Sequence, residues 1–129
     1  MTMPVVIPDD FGLMDPSKLT DIAPITFRIP LMETEVVGIC FRGDPEEITA
    51  GLKEWDLLSL VREPNNPYDR RAVKVLNQDG MHIGYIPRDK NETVANLMDA
   101  GKHLYCEIIG IGGFSHDPCV RIRILMDDL

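Results

Sequence analysis

The fold is decided by residues 51–75, which read GLKEWDLLSLVREPNNPYDRRAVKV. Two runs rich in Leu, Val and Ala, residues 57–61 and 72–76, are typical of β-strands. Between them lies Arg62–Asp69, REPNNPYD, whose two prolines restrict φ and whose two asparagines supply local side-chain hydrogen bonds. A plain strand-to-strand loop does not require this composition. We therefore predict a rigid loop that presents polar groups.

Further strand and helix signals flank this segment on both sides. The other strand-like runs are residues 25–41, 81–86, 104–111 and 120–125, with a hairpin turn at Asp79-Gly80 and a turn-rich stretch at 112–118. The two helix signals each pair an N-cap with a terminal glycine, and they are Asp44 with Gly51 and Asn91 with Gly101. Short strands avoid exposed edges best by closing into a barrel. We predict a mainly β fold with two short helices, an OB-like or SH3-like antiparallel β-barrel of about six strands.

Turn chemistry alone offers a second interpretation of the REPNNPYD segment. In it, Asn65 and Asn66 satisfy the loop backbone, Tyr68 covers the end of the barrel, and Asp69 pairs with one of the two arginines that follow it. Composition cannot choose between this interpretation and a binding loop.

The chain divides at about residue 24. Residues 1–24 contain four prolines and an acidic pair and show no sustained helical or strand period, so we expect a loosely ordered N-terminal arm. Residues 25–129 are then the barrel domain.

Charge and cysteine usage limit the possible environment and partners. The formal net charge of -8 disfavours non-specific attraction to nucleic acid or to an anionic membrane, so any DNA contact must be local. No apolar run approaches the length of a membrane span, and the N-terminus does not resemble a secretory signal. The 3 cysteines lack a disulfide-framework pattern. We expect a cytoplasmic protein that does not bind membranes.

The motifs of common enzyme and metal sites do not appear. His103 and Cys106, like His116 and Cys119, are closely spaced but do not repeat a structural zinc pattern. No clustered carboxylates with a lysine, no G-x-S-x-G elbow and no phosphate-cradling loop are present. We predict a protein that is not an enzyme, with no cofactor and no metal.

Three motifs together resemble the HIRAN domain family: VVGICFRG, the 51–75 stretch and GYIPRDKN. The resemblance covers roughly Ile25 to Leu125. It implies an OB-like module that occurs at the N-terminus of fork-remodelling translocases and in stand-alone or fused bacterial proteins. In the best-understood member this module captures the 3′-hydroxyl end of single-stranded DNA.

The resemblance implies roles for the loop residues. Tyr68 and Asp69 would meet the terminal nucleotide, with the Asp69 carboxylate accepting a hydrogen bond from the 3′-hydroxyl and Tyr68 bounding the pocket. A carboxylate accepts a hydroxyl but repels a phosphorylated end. Asn65 and Asn66 would shape and line the same pocket.

Two other segments match DNA-binding positions of the family, but some of the residue types there are different. A predicted strand, Cys40-Phe41-Arg42, stands where the DNA-binding member has an arginine and two tyrosines. Phe41 keeps an aromatic face for stacking, whereas Cys40 replaces the arginine and Arg42 replaces a tyrosine, two positions further on. Tyr85 replaces a histidine, and Arg88 lies near a basic position that could contact phosphate. For Phe41 and Tyr85, ordinary barrel packing is the alternative.

The sequence thus favours a non-catalytic module that recognises single-stranded DNA 3′ ends and directs a helicase or nuclease partner to them in DNA repair or processing. The alternative is a protein-interaction module that uses the same groove for a peptide partner. The overall acidity and the Cys40 replacement favour the peptide, whereas the intact NNPYD stretch and the placement of Arg88 and Phe41 favour DNA.

Overall fold

The computed structural model describes residues 27–128, so the predicted arm at 1–24 lies outside the described residues. The strands are β1 Phe27–Glu35, β2 Leu57–Arg62, β3 Val73–Leu76, β4 His82–Tyr85, β5 Leu104–Phe114 and β6 Asp117–Asp128. The helices are α1 Pro45–Ala50 and α2 Asn91–Asp99, and one turn of 3-10 helix spans Ile39–Phe41.

The six strands form one antiparallel sheet in the order β1-β6-β5-β2-β3-β4. The sheet curls until its two ends meet, because Val37, just after β1, pairs with Tyr85 of β4 through two backbone hydrogen bonds of 2.9 Å. Gly84 permits this approach, since a Cβ there would lie 2.5 Å from the Val36 side chain. The predicted mainly β fold of about six strands with two short helices is confirmed.

Alternation along the strands places one face of the sheet in the core. In β2, Leu58 and Leu60 are buried, whereas Leu57, Ser59 and Val61 are exposed. Each aliphatic side chain buried in this way stabilises the fold by about 1.5–3 kcal/mol. The fully enclosed members of the core come from five strands and α2, and they include Val73, Val75, Ile83, Val94, Ile108, Ile122 and Ile124.

The two helices begin differently. α1 has the predicted N-cap, because the Asp44 carboxylate accepts a hydrogen bond from the Glu46 amide and proline occupies the first helical position. The prediction that Asn91 caps α2 is wrong: Lys90 is the N-cap and Asn91 is already helical. No helix within residues 27–128 is long and apolar enough to span a membrane.

Two predicted local structures also differ. Cys40-Phe41-Arg42 is not a strand, because Gly38 has a positive φ of 78° and turns the chain into the 3-10 helix. The turn-rich stretch 112–118 instead continues β5 and β6 as a hairpin with a tight turn at Ser115-His116. That hairpin extends the two longest strands beyond the barrel core.

Candidate functional site

Asn66 organises the loop between β2 and β3. Its side-chain oxygen accepts hydrogen bonds from the backbone amides of Tyr68 at 2.8 Å and Asp69 at 3.1 Å. Its amide nitrogen donates to the Glu63 carboxylate. Asn66 therefore satisfies the loop backbone, as turn chemistry predicted, and also fixes where the next two residues lie. Asn65 is exposed on the loop.

Arg62 anchors the same loop through hydrogen bonds. Its guanidinium donates to the backbone carbonyls of Ala72 at 2.7 Å and Arg70 at 2.9 Å, and to the Asp99 carboxylate of α2 at 2.9 Å. The Arg62 side chain is only 15% exposed. Its donors are thus used inside the protein, and they connect the end of the loop just before β3 to α2.

Asp69 is held by three partners from different segments. One carboxylate oxygen accepts the Arg71 backbone amide at 2.9 Å. The other accepts the Asn91 side-chain amide at 2.8 Å and lies 3.6 Å from the Arg88 guanidinium. The Arg71 and Asn91 hydrogen bonds, with the positive charge of Arg88, lower the pKa of Asp69 against the opposing effect of burial. Asp69 is therefore ionised at neutral pH and can only accept hydrogen bonds.

Asn91 is the functional residue that sequence reasoning missed. It is 3% exposed, and within residues 27–128 it is the only buried polar or charged residue. A buried amide needs partners, and its partner is Asp69, 22 positions away in sequence. Its place before an amphipathic helix suggested a cap, and no local pattern indicates the Asp69 contact.

Glu63 and Tyr85 form a second polar pair beside Asp69. The Tyr85 hydroxyl donates to Glu63 at 2.9 Å, and the Lys74 ammonium lies 3.7 Å from the same carboxylate. The hydrogen bond from Asn66 contributes most to lowering the pKa of Glu63. Burial, followed by the Glu63 contact, raises the pKa of Tyr85. Tyr85 is half-buried and therefore combines packing with a polar contact.

These residues line an open cleft of about 560 Å³, called the motif cleft below. Its apolar floor includes Val37 and Ile86, and its polar wall consists of Glu63, Asn66, Asp69, Tyr85, Arg88 and Asn91. A neighbouring depression of about 490 Å³ shares the loop residues from Asn66 to Asp69 and is completed by Arg70 and Arg71.

Tyr68 stands between the two depressions and is 84% exposed. The interpretation in which it covers the barrel end is therefore wrong. The Arg88 guanidinium donates to its backbone carbonyl, which fixes the backbone beneath an unpacked ring. An exposed aromatic ring on a braced loop is available to stack on a ligand.

Phe41 and Arg42 lie on the 3-10 turn, outside the residues that line the motif cleft. Phe41 is 81% exposed, so barrel packing does not explain it either. The Arg42 guanidinium lies 2.8 Å from His82 Nδ1, and burial and then this positive charge lower the pKa of His82. Of the eight predicted residues, the structure gathers five at the cleft: Asn66, Tyr68, Asp69, Tyr85 and Arg88.

The described residues contain no cluster of three or more His, Cys, Asp or Glu side chains that could hold a metal ion. The three cysteines are unpaired thiols. Cys106 is fully buried, which raises its pKa to about 12 and makes the thiol inert.

Comparison with known proteins places this geometry in a family. Residues 29–113, more than half of the chain, match the HIRAN domain. The mouse protein "Helicase-like transcription factor" is 34% identical over 95 residues, which are 74% of this chain and 8% of that protein. The Arabidopsis thaliana protein "Fanconi-associated nuclease 1 homolog" is 31% identical over 91 residues, 68% of this chain and 10% of that protein. The chain thus spans about a tenth or less of these relatives.

Solved structures share the fold. A crystal structure of a Lactobacillus plantarum protein superposes with a TM-score of 0.74 at 25% identity, covering 81% of this chain and 99% of that one. The crystal structure of the HIRAN domain of human HLTF gives 0.64 at 20% identity, covering 79% and 78%. An NMR structure of the HLTF HIRAN domain in its DNA-bound conformation gives 0.56 at 20% identity, covering 78% of each chain.

Proposed function

Because this chain belongs to the HIRAN domain family, we propose that it is a non-catalytic DNA-binding module that captures single-stranded 3′-hydroxyl ends in the motif cleft. One observation carries the proposal: an exposed tyrosine, Tyr68, stands directly beside an ionised and immobilised carboxylate, Asp69. A HIRAN domain of the same fold has been solved in a DNA-bound conformation.

The chemistry of Asp69 suits a hydroxyl end. Its partners Arg71, Asn91 and Arg88 orient the carboxylate, and each oxygen can still accept a further hydrogen bond. A 3′-hydroxyl supplies a donor, whereas a 3′-phosphate would bring negative charge against a carboxylate. Asp69 would therefore select the unphosphorylated end by repulsion as well as by attraction.

The surroundings of Asp69 provide the other contacts a strand end requires. The exposed Tyr68 ring offers a stacking surface for a base, a contact that contributes about 1–3 kcal/mol in single-strand binding. Arg88 lines the motif cleft, and Arg70 and Arg71 line the neighbouring depression, so their guanidinium groups could meet phosphates; Arg71 also lies 3.5 Å from the Glu92 carboxylate. The Glu63 carboxylate already accepts hydrogen bonds from Asn66 and Tyr85, so its negative charge is stabilised within the cleft wall.

The names of the relatives suggest a context. They are a helicase-like protein and a nuclease homologue, of which the matching segment is a small part. We propose that this module brings a DNA-processing activity such as a helicase or nuclease to strand ends.

The test is fluorescence anisotropy with a labelled single strand that ends in a 3′-hydroxyl or a 3′-phosphate. Wild type should prefer the hydroxyl end. Asp69→Asn should weaken that binding by about 10- to 100-fold, the value of a hydrogen bond to a charged group, and should reduce the preference. Asp89→Asn, which removes the same charge from an exposed residue beside Arg88, is the matched control.

Equal binding of both ends by wild type would reject capture of the hydroxyl. Absence of binding to either strand would reject the DNA proposal as a whole. It would favour the second hypothesis, a peptide partner in the same cleft. Thermal melting of both variants shows whether a loss of binding reflects a loss of fold.

A further inference from the structure

A second cleft lies on the outer face of the sheet, where β1, β6, β5 and β2 run side by side. It has a volume of about 470 Å³ and shares no lining residue with the motif cleft. We call it the outer cleft; its walls include Arg28, Leu57, Ser59, His103, Tyr105 and Asp127. Its volume is within the range of about 300–1,000 Å³ that is usual for small-molecule sites.

The outer cleft contains a flat aromatic and apolar wall. The Tyr105 and His103 rings are stacked, with centroids 5.3 Å apart and planes 29° apart. The Arg28 guanidinium carbon lies 5.7 Å from the centre of the Tyr105 ring. Leu57, at the rim, is 39% exposed although it is a large apolar residue on a strand. Such a wall suits the planar ring of a ligand, because the ring is removed from water when it packs there.

The polar groups of the outer cleft are mainly hydrogen-bond donors. Its one carboxylate, Asp127, is already engaged by His103 Nδ1 at 2.7 Å and by Tyr105, and the His103 contact lowers its pKa most. Because the His103 Nδ1–H donates to this carboxylate, Nε2 of a neutral imidazole is left to accept a hydrogen bond from a ligand. Within residues 27–128, Arg28 forms no salt bridge, and the Ser59 hydroxyl is exposed.

We propose that the outer cleft binds a nucleoside monophosphate, either free or as one unit of a nucleic-acid strand. The phosphate is bound by Arg28 and the Ser59 hydroxyl, and the base lies against Tyr105 and Leu57. Guanidinium and hydroxyl donors beside an aromatic wall match the two halves of a nucleotide, the anion and the flat ring. This site is independent of the motif cleft and of the function proposed for it.

Backbone amide chemical shifts of the full chain, followed during titration with adenosine 5′-monophosphate, test the site. Amides of Leu57, Ser59 and Tyr105 should shift, whereas those of Tyr68 and Asp69 report separately on the motif cleft. Adenosine alone and inorganic phosphate alone should each bind more weakly than the nucleotide. Titration with a short phosphorylated oligonucleotide distinguishes a strand from a free nucleotide as the source.

Two variants locate the site. Arg28→Gln removes the phosphate donor and should weaken binding by about tenfold. Ser59→Glu adds a repelling charge inside the cleft and should abolish the shifts. Val61→Glu adds the same charge to an exposed residue of the same strand, two positions further on and outside the lining residues, and should leave the affinity unchanged.

Each outcome decides the proposal. Shifts at these amides with the nucleotide or only with the oligonucleotide support it, and they assign the source as free or strand-borne. No shift with either ligand at millimolar concentration overturns it. The site is also rejected if Ser59→Glu binds like wild type, or if Val61→Glu loses as much affinity as Ser59→Glu.

Discussion

Replacing Asn91 with alanine should destabilise the fold through a residue that sequence reasoning assigned to a helix cap. Asn91 is buried, and its amide donates to Asp69 at 2.8 Å. Without it, that carboxylate oxygen keeps only the Arg88 guanidinium at 3.6 Å, while the Arg71 amide continues to hold the other oxygen. The Arg88 side chain is largely exposed, so solvent screens its attraction.

The magnitude follows from the kind of bond that is lost. A hydrogen bond to a charged group contributes about 1.5–3 kcal/mol, and we expect a loss of stability in that range. Small domains have urea m-values of about 1–3 kcal/mol per molar. The urea midpoint of the alanine variant should therefore fall by about 1 M. Asn96→Ala, in an exposed position of the same helix, is the control and should change stability little.

The contribution of Asp69 to the free energy of unfolding should depend on pH in a defined direction. Its pKa is lowered in the folded state, so its stabilising contribution is present above the unfolded value of about 3.9 and is lost as pH falls through the lower folded value. Wild type and Asn91→Ala should therefore converge in stability below about pH 4.

Asn91→Asp should behave in the opposite way. It places a second carboxyl group within hydrogen-bond distance of Asp69, which raises the pKa of the pair. This variant should be less stable than Asn91→Ala at neutral pH and should regain stability as the pH falls through that raised value. Urea melts at several pH values measure both trends. An alanine variant as stable as wild type at pH 7, or an aspartate variant that loses stability in acid as wild type does, would refute the assigned contact.

Three further predictions concern other parts of the molecule. Tyr68→Ala should weaken single-strand binding by about 1–3 kcal/mol while the melting temperature stays unchanged, because the ring is 84% exposed among residues 27–128; anisotropy and thermal melts together check this. Gly84→Ala should destabilise the domain by about 1–3 kcal/mol, because the new Cβ would lie 2.5 Å from a neighbouring side chain, whereas Gly112→Ala meets nothing within 4 Å and should be neutral in the same denaturation assay. In the native protein a thiol reagent should modify the exposed Cys40 and spare Cys106 until denaturant is added, because burial raises the Cys106 pKa to about 12; equal rates would contradict the packing.

Those parts of the fold that depend on local pattern could be predicted from the sequence. The alternation in residues 57–61 places Leu58 and Leu60 inside the sheet, and the Asp44-Pro45 signal starts a helix where expected. Residues 36–41, VVGICF, were misread because a short apolar run can be a strand or a turn of helix with equal ease. Gly38, whose φ is 78°, favours the turn of helix over the strand.

The site was predictable as far as it depends on one contiguous segment. Tyr68 and Asp69 were selected because they lie in the REPNNPYD motif, and the structure places both at the motif cleft. Asn91 was not selected, because its role depends on a contact between α2 and the loop that only the folded chain creates. Asn65 shares the motif but points to solvent, and a sequence cannot distinguish two neighbouring asparagines by direction.

The distribution of charge in this acidic chain is compatible with the nucleic-acid site proposed at the motif cleft. Much of the negative charge lies away from the motif cleft: Glu33 and Glu107 on the outer face are paired with Arg123, and Glu46 and Glu47 lie on α1. At physiological ionic strength the Debye length is about 8 Å, so exposed charges beyond that distance affect the cleft weakly. The few arginines at its rim would release few counterions, so the binding proposed there would depend mainly on the hydroxyl end and on stacking. A module of this kind would hold strand ends with modest affinity and high selectivity, which suits the recruitment of an enzyme better than the coating of DNA.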